Sequence, residues 1–205
     1  MTVDLRDLDL KITRRADGVE VQVPALQGLW TVEQYLRLTD QTNHLIEFTD
    51  GAIEVLPMPT RRHQAIVAVL YELLVALLRP RGGVVLFAPL RVQIGPRRFR
   101  EPDLVALLDA RDARNQEAFW LGADLVVEVV SPDDPARDTV EKPADYASAR
   151  IREYWIVNPL DETITVLTLQ GDAYRTHGVF GHGARVTSPL LPGVTVSGDE
   201  LFADR

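Results

Sequence analysis

The chain has 205 residues, of which 46% are hydrophobic and 25% are charged, a composition typical of a folded domain. It contains no cysteine, which excludes disulfides, zinc sites built from thiolates and cysteine nucleophiles. The net charge of −8, from 22 basic and 30 acidic residues, argues against a surface that binds nucleic acid over its whole extent, although it leaves room for a local basic groove.

Short elements are predicted in the first 60 residues. Residues 10–23 can form one or two strands around Asp17-Gly18. The segment WTVEQYLRL predicts a helix that begins after Thr31, with Gln34 completing a capping box. The segment HLIEFTDGAIEVLP predicts a hairpin that turns at Asp50-Gly51.

The clearest helix is predicted over residues 60–79, where apolar residues recur at helical spacing. Thr60 can cap its start, and Pro80 followed by Gly82-Gly83 ends it. Its apolar run, AIVAVLYELLVALL, has 14 residues with Glu72 among them, fewer than a membrane-spanning helix needs. The N-terminal segment lacks the apolar core of a signal peptide, so we expect a soluble cytoplasmic protein with no membrane contact.

The rest of the chain predicts a sheet with helices. Strands are predicted at about 83–95 (bent at Pro89), 102–108 and 124–130, a helix at 138–149, a strand in REYWIVNP, and short strands at 163–169, 173–179 and 194–196. Helices flanking a mixed sheet indicate an α/β or α+β fold. We expect one domain over residues 1–205, with a core at about 44–158 and appendages at 1–43 and 159–205 that add β elements at both ends.

The strand DLVVEVVS, residues 124–131, carries Glu128 at its apolar centre. A lone carboxylate there costs roughly several kcal/mol unless it is paired, protonated or coordinated. The segment REPDLVALL predicts a strand that begins at Asp103, and antiparallel pairing would bring Asp103 and Glu128 within a residue or two of each other across the ladder, where neighbouring side chains are about 5 Å apart. A divalent cation such as Mg²⁺ or Mn²⁺ would relieve their repulsion. The alternative is an arginine partner for Glu128 from the cluster Arg91, Arg97, Arg98 and Arg100.

Three further residues bear on this pair. Lys142, in DTVEKPADY, could reach back to the carboxylates, or it could form an i,i+4 pair with Asp138. Glu47, in HLIEFTDG, is another acid in an apolar strand, which exposure at a strand edge would explain equally well. His63 lies in phase with the apolar face of the long helix, and a core or capping histidine is favoured there over a metal ligand.

The order of these parts resembles the PD-(D/E)XK nuclease superfamily and, more closely, the Uma2 family of restriction-endonuclease-like proteins, also described as a domain of unknown function. The matching pieces are IEFTDGAIEVLPMPTRRHQ (46–64), EPDLVAL (101–107), ADLVVEVVSPDDPARDTVEKPADY (123–146) and REYWIVNP (152–159). The resemblance implies a restriction-endonuclease-like core in which Asp103 and Glu128 bind the metal, the carbonyl oxygen of Val129 completes the coordination, Glu47 assists, and Lys142 is the catalytic lysine.

The position of the lysine departs from the superfamily pattern. The usual lysine lies two residues after the strand acid, where this chain has Val130, and Uma2-like chains carry it on the following helix, which fits Lys142. Pro143 follows directly, and a residue before proline is pushed away from helical dihedrals. We therefore expect the helix to start at Pro143, with Lys142 at its cap.

These features predict a Mg²⁺- or Mn²⁺-dependent endonuclease that hydrolyses DNA phosphodiester bonds, with Lys142 positioning the attacking water. The alternative is a non-catalytic module that binds nucleic acid or protein and has kept the nuclease fold. The acidic net charge favours the module, whereas the complete set of two acids and a lysine favours the enzyme. A homodimer would suit a nuclease that cuts both strands.

Overall fold

The computed structural model describes residues 9–13, 20–24, 27–132, 134–194 and 196–203. The chain divides into two compact units, one ending at Leu56 and the other beginning at Pro57. The predicted boundaries of a single domain with appendages stay a prediction.

In its described residues, the first unit contains four strands and one helix. Its elements are β1 (Asp9–Thr13), β2 (Glu20–Pro24), α1 (Val32–Thr39), β3 (Ile46–Thr49) and β4 (Ala52–Val55). Strands β1 and β2 pair antiparallel, while their predicted turn at Asp17-Gly18 lies outside the described residues. The predicted capping box of α1 is confirmed, since the Thr31 side chain accepts from the Gln34 amide and the Gln34 side chain accepts from the Thr31 amide.

The hairpin of β3 and β4 turns where the sequence predicted. Asp50 and Gly51 both have positive φ angles, 50° and 97°, which a two-residue type I′ turn requires. The pairing places Glu47 opposite Glu54.

The second unit is built on a mixed sheet. Its elements are α2 (Arg61–Leu78), β5 (Val84–Phe87), β6 (Val92–Gly95), β7 (Arg98–Arg100), β8 (Leu104–Leu107), β9 (Leu125–Val129), α3 (Lys142–Ser148), β10 (Glu153–Asn158), β11 (Thr163–Gln170), β12 (Ala173–Phe180) and α4 (Gly198–Phe202). Six strands form one sheet in the order β12-β11-β10-β9-β8-β5. Strands β9 and β10 are parallel and the other neighbours are antiparallel. A mixed sheet with helices agrees with the predicted fold class.

Helix α2 covers one face of this sheet. Thr60 caps its start by accepting from the His63 amide at 3.2 Å, and Gly82, with a φ of 86°, follows the 3₁₀ turn that ends it. The buried positions Ile66, Leu70, Leu74 and Leu78 repeat every four residues and pack with the inward residues of β8 and β9.

The same helix bears on the membrane prediction. With its final turn it spans 21 residues, Arg61–Arg81, and an 18-residue window within it has a mean hydropathy of 1.3, so by length and composition alone it could cross a bilayer. The 14-residue apolar run therefore understated the length of the apolar helix. Core helices of globular proteins pass the same test, and the buried face of α2 packs on the sheet.

One predicted strand is divided in the structure. The segment 83–95 forms β5 and β6, separated by the cis peptide Ala88–Pro89, because proline has no amide to donate to a continuous ladder. Strand β5 pairs with β8, whereas β6 pairs with β7, a strand that the sequence did not predict. The predicted strand at 194–196 falls partly outside the described residues.

Two polar clusters hold the C-terminal segment in place. The buried carboxylate of Glu153 accepts from Trp155 Nε1 at 2.7 Å, from the Ser188 hydroxyl and from the Leu190 amide at 3.0 Å. At the surface, both ring nitrogens of His182 contact carboxylates, Nδ1 that of Asp199 at 2.7 Å and Nε2 that of Glu162. Arg62 joins the second cluster through Glu162, at 2.8 Å.

Candidate active site

The two carboxylates singled out in the sequence lie at neighbouring ends of β8 and β9. These strands pair antiparallel, with Leu104 opposite Val127. Continuing the register by one residue places Asp103 opposite Glu128, so the predicted antiparallel pairing and its register are present. Glu128 itself is buried at the penultimate position of β9.

Asp103 is held by one backbone donor and one side chain. Its Oδ2 atom accepts from the Val129 amide at 2.8 Å and lies 3.0 Å from Nε2 of His63. Both contacts fall on Oδ2, and within the described parts of the chain Oδ1 has no hydrogen-bond donor. The Asp103 side chain is 17% exposed, so it can be reached from solvent.

His63 is a partner of this acid rather than a helix cap, because its ring contacts Asp103 and only its backbone amide bonds to Thr60. Burial lowers the pKa of His63, but the hydrogen bond to Asp103 and the negative charges of Asp103 and Glu128 outweigh burial, so the net pKa is raised above 6.5. Its buried Nδ1 atom has no hydrogen-bond partner among the residues described. The favoured core or capping interpretation thus missed a direct contact with a predicted metal ligand.

Lys142 bridges two buried acids. Its Nζ atom lies 2.8 Å from Glu128 Oε1 and 2.8 Å from Asp138 Oδ1. The three side chains are only 6%, 4% and 7% exposed, in the order Lys142, Glu128 and Asp138. Lys142 therefore makes both of the contacts that the sequence offered as alternatives: it reaches back to Glu128, and it forms the i,i+4 pair with Asp138.

The backbone around Lys142 differs from the prediction. Residues Arg137–Glu141 form a π-helical turn, and the Lys142 amide bonds to the Arg137 carbonyl five residues back. Lys142 has helical dihedrals and is the first residue of α3, so a helix start at Pro143 is wrong. The wider π turn precedes Pro143, a residue that could not have donated an α-helical hydrogen bond.

Two tyrosines complete the surroundings of Glu128. The buried Tyr146 hydroxyl donates to Glu128 Oε1 at 2.5 Å, and the Tyr154 hydroxyl donates to the Asp138 carbonyl at 2.8 Å. Burial and the charges of Glu128 and Asp138 raise the pKa of Tyr154 well above 10. Neither tyrosine was among the predicted site residues, although the i,i+4 spacing of Lys142 and Tyr146 predicts that they share one helix face.

Two arginines of the predicted cluster contact another acid, Asp145. Arg98 Nη1 lies 3.0 Å from Asp145 Oδ1, and Arg100 contacts Asp145 Oδ2. These bonds tie β7 to α3, the helix that carries Lys142. Lys142 is a cation bound to Glu128, and Arg98 and Arg100 hold the helix that carries it.

Glu47 lies in the first unit. It is 1% exposed within β3, so exposure at a strand edge does not explain it. Its predicted assistance to the site stays a prediction.

The donor chemistry of Asp103 and Glu128 fits a hard divalent cation. Among the residues that the structure describes, no group of three or more His, Cys, Asp and Glu side chains could hold a metal ion. Mg²⁺ sites of phosphoryl-transfer enzymes, however, commonly use one or two carboxylates together with water and substrate phosphate. Asp103 Oδ1, partly exposed and without a donor, is the kind of ligand such a site needs.

A family model described as Uma2, "Putative restriction endonuclease", matches residues 32–199. A solved structure described as "a putative nuclease belonging to DUF820 from Anabaena variabilis ATCC 29413" aligns with a TM-score of 0.70 and 23% identity, covering 84% of this chain and 97% of that chain. No curated protein matches the sequence. The fold is thus nuclease-like, and the chain belongs to the Uma2 family of restriction-endonuclease-like proteins.

Proposed function

We propose that this protein is a metal-dependent endonuclease that hydrolyses phosphodiester bonds of DNA. The observation that carries the proposal is the juxtaposition of Asp103 and Glu128 at neighbouring strand ends, with the buried ammonium of Lys142 at 2.8 Å from Glu128. Two acids and a lysine on these elements match the parts that the Uma2 resemblance requires.

Asp103 and Glu128 would hold Mg²⁺ or Mn²⁺, with the Val129 carbonyl as a third oxygen ligand. When bound, such an ion supplies Lewis-acid chemistry at a phosphate and at a water molecule. The Val129 amide already orients Asp103, which places the ligand before any cation arrives. Glu47 is proposed as an assisting acid.

Lys142 would position the attacking water and offset charge that develops on the phosphate. Asp138 and Glu128 hold its ammonium from two sides, so that little side-chain entropy remains to be lost in the transition state. Arg98 and Arg100 fix the helix that carries it. The contribution of Lys142 should therefore appear in kcat.

The test is cleavage of supercoiled and linear DNA in Mg²⁺, in Mn²⁺ and in EDTA, with Asp103→Asn beside Asp109→Asn. Asp109 lies just beyond the C-terminal end of β8, is exposed and pairs with Arg111. We expect cleavage by wild type and by Asp109→Asn, and none by Asp103→Asn or in EDTA. Wild type that neither cleaves DNA nor binds Mn²⁺ would contradict the proposal and favour the non-catalytic binding module.

A further inference from the structure

Helix α3 delivers two hydrogen-bond donors to one oxygen atom. Lys142 Nζ and the Tyr146 hydroxyl, one helical turn apart, lie 2.8 Å and 2.5 Å from Glu128 Oε1. Two donors that converge on one atom fix the torsion of a carboxylate more tightly than either alone. Helix α3 thus supplies two of the donors that orient Glu128.

Tyr146 is suited to an orienting role because it is fully buried and its ring is held. The ring lies 5.0 Å from that of Tyr154 at an interplanar angle of 63°, an edge-to-face arrangement. Tyr154 in turn bonds through its hydroxyl to the π turn that carries Asp138. The hydroxyl of Tyr146 is therefore presented to Glu128 by packed rings.

We infer that Tyr146 is a positioning residue, which orients the Glu128 carboxylate through its hydroxyl and thereby sets the affinity of the site for a divalent cation. The second part of this inference rests on the proposed function. The first part is a property of the fold and holds with or without a metal. Partners that orient metal ligands typically contribute roughly 10–100-fold to metal affinity.

Tyr174 offers a matched control. Its ring belongs to the same row, 6.1 Å from that of Tyr154, and its hydroxyl donates to the Ile151 carbonyl at 2.8 Å. Tyr174→Phe therefore removes one partly buried tyrosine hydroxyl from the same cluster, and this hydroxyl bonds to a backbone carbonyl, not to Glu128. Phenylalanine preserves ring packing at both positions.

The first measurement uses no metal. Urea unfolding of wild type, Tyr146→Phe, Glu128→Gln and the double variant forms a double-mutant cycle. A hydrogen bond to a carboxylate is stronger than one to an amide, so we expect a coupling of at least about fivefold in the unfolding equilibrium constant. A cycle with Tyr174→Phe in place of Tyr146→Phe should give less than about twofold coupling.

The second measurement is calorimetric titration with Mn²⁺. Tyr146→Phe should weaken binding by roughly 10–100-fold, while Tyr174→Phe should leave it within about twofold of wild type. Absence of coupling in the first cycle, or equal losses in the two phenylalanine variants, would overturn the inference even if wild type cleaves DNA. Wild type that binds no Mn²⁺ would instead overturn the proposed function and the metal-affinity part, and the cycle would still decide whether Tyr146 orients Glu128.

Discussion

Lys142 and Glu128 form a salt bridge of 2.8 Å in which both side chains are more than nine-tenths buried. The same ammonium meets Asp138 at an i,i+4 spacing that, on a helix surface, stabilises by only about 0.2–0.5 kcal/mol. Burial changes this magnitude, because removing one partner of a buried pair leaves an uncompensated charge. Lys142 is therefore needed for stability as well as for the proposed catalysis.

Lys142→Ala should destabilise the protein by about 3–5 kcal/mol, since two buried carboxylates lose their shared cation. Cleavage at saturating Mg²⁺ should slow at least about tenfold, roughly 1.4 kcal/mol in transition-state stabilisation. Mn²⁺ should bind at least as tightly as in wild type, because the competing ammonium is gone. Urea unfolding, single-turnover cleavage and calorimetry measure the three effects.

The control is Arg37→Ala, which removes an i,i+4 pair with Glu33 whose side chains are both exposed. It should lower the unfolding free energy by at most about 0.5 kcal/mol. Lys142→Arg should restore stability in part but not the cleavage rate, because a planar guanidinium cannot place its charge as a compact ammonium does. Normal cleavage by Lys142→Ala would leave the lysine a structural residue.

Glu128→Gln should abolish cleavage and Mn²⁺ binding and should also lower the melting midpoint, because Lys142 and Tyr146 lose a charged acceptor. The matched control is Glu153→Gln, which removes a buried carboxylate from the neighbouring strand β10. This control should be destabilised as well, since three donors converge on Glu153. It should nevertheless bind Mn²⁺ normally, and a loss of binding in both variants would mean that binding reports only the integrity of the fold.

The His182 cluster predicts a pH dependence. Hydrogen bonds to Asp199 and Glu162 raise the pKa of His182 above 6.5, while the bond to His182 lowers the pKa of Asp199 below 3.8 and that of Glu162 below 4.5. The contribution of His182 is present below pH 6.5 and is lost as the pH rises through its folded pKa. The carboxylates contribute above their unfolded pKa values and lose that contribution as the pH falls through the folded ones, with Arg62 adding to the attraction on Glu162.

The stabilising effect of this cluster should therefore be largest between about pH 4.5 and 6.5. The difference in melting midpoint between wild type and His182→Gln should peak there and shrink toward pH 8, and it should decrease in high salt because the groups are exposed. Nuclear magnetic resonance titration of the imidazole gives an independent check. An imidazole of His182 that titrates at or below pH 6.5, and does not respond to Asp199→Asn, would contradict the prediction.

Local signals predicted much of the fold and the central pair of acids. Thr31 with Gln34 and Thr60 mark helix starts by short-range hydrogen bonds, and Asp50-Gly51 marks a turn by its dihedrals. The predicted antiparallel pairing of consecutive strands brought Asp103 within a residue or two of Glu128, and the register of the structure places them opposite each other. Each of these features depends on residues close in sequence or on a single pairing step.

The missed features depend on long-range contacts. Arg98 lies 47 positions and Arg100 45 positions before Asp145 in the sequence. Contacts over such separations cannot be predicted from composition or local spacing. Tyr146 resembled a core aromatic residue, since burial and helical phase are the same whether its hydroxyl meets water, backbone or a carboxylate. The π turn was missed because the rule for residues before proline assumes an ordinary α-helix.

Because of that π turn, the geometry of the site depends on the number of residues between Arg137 and Glu141. A π turn is an α-helical turn with one residue added, and each residue of a helix turns the following side chains by about 100°. Deleting one residue between Arg137 and Glu141 would restore ordinary spacing but would leave Lys142 and Tyr146 unable to face Glu128 together with Asp138. A change of a single residue in the length of this segment should therefore disrupt the site even where Asp138 itself is kept.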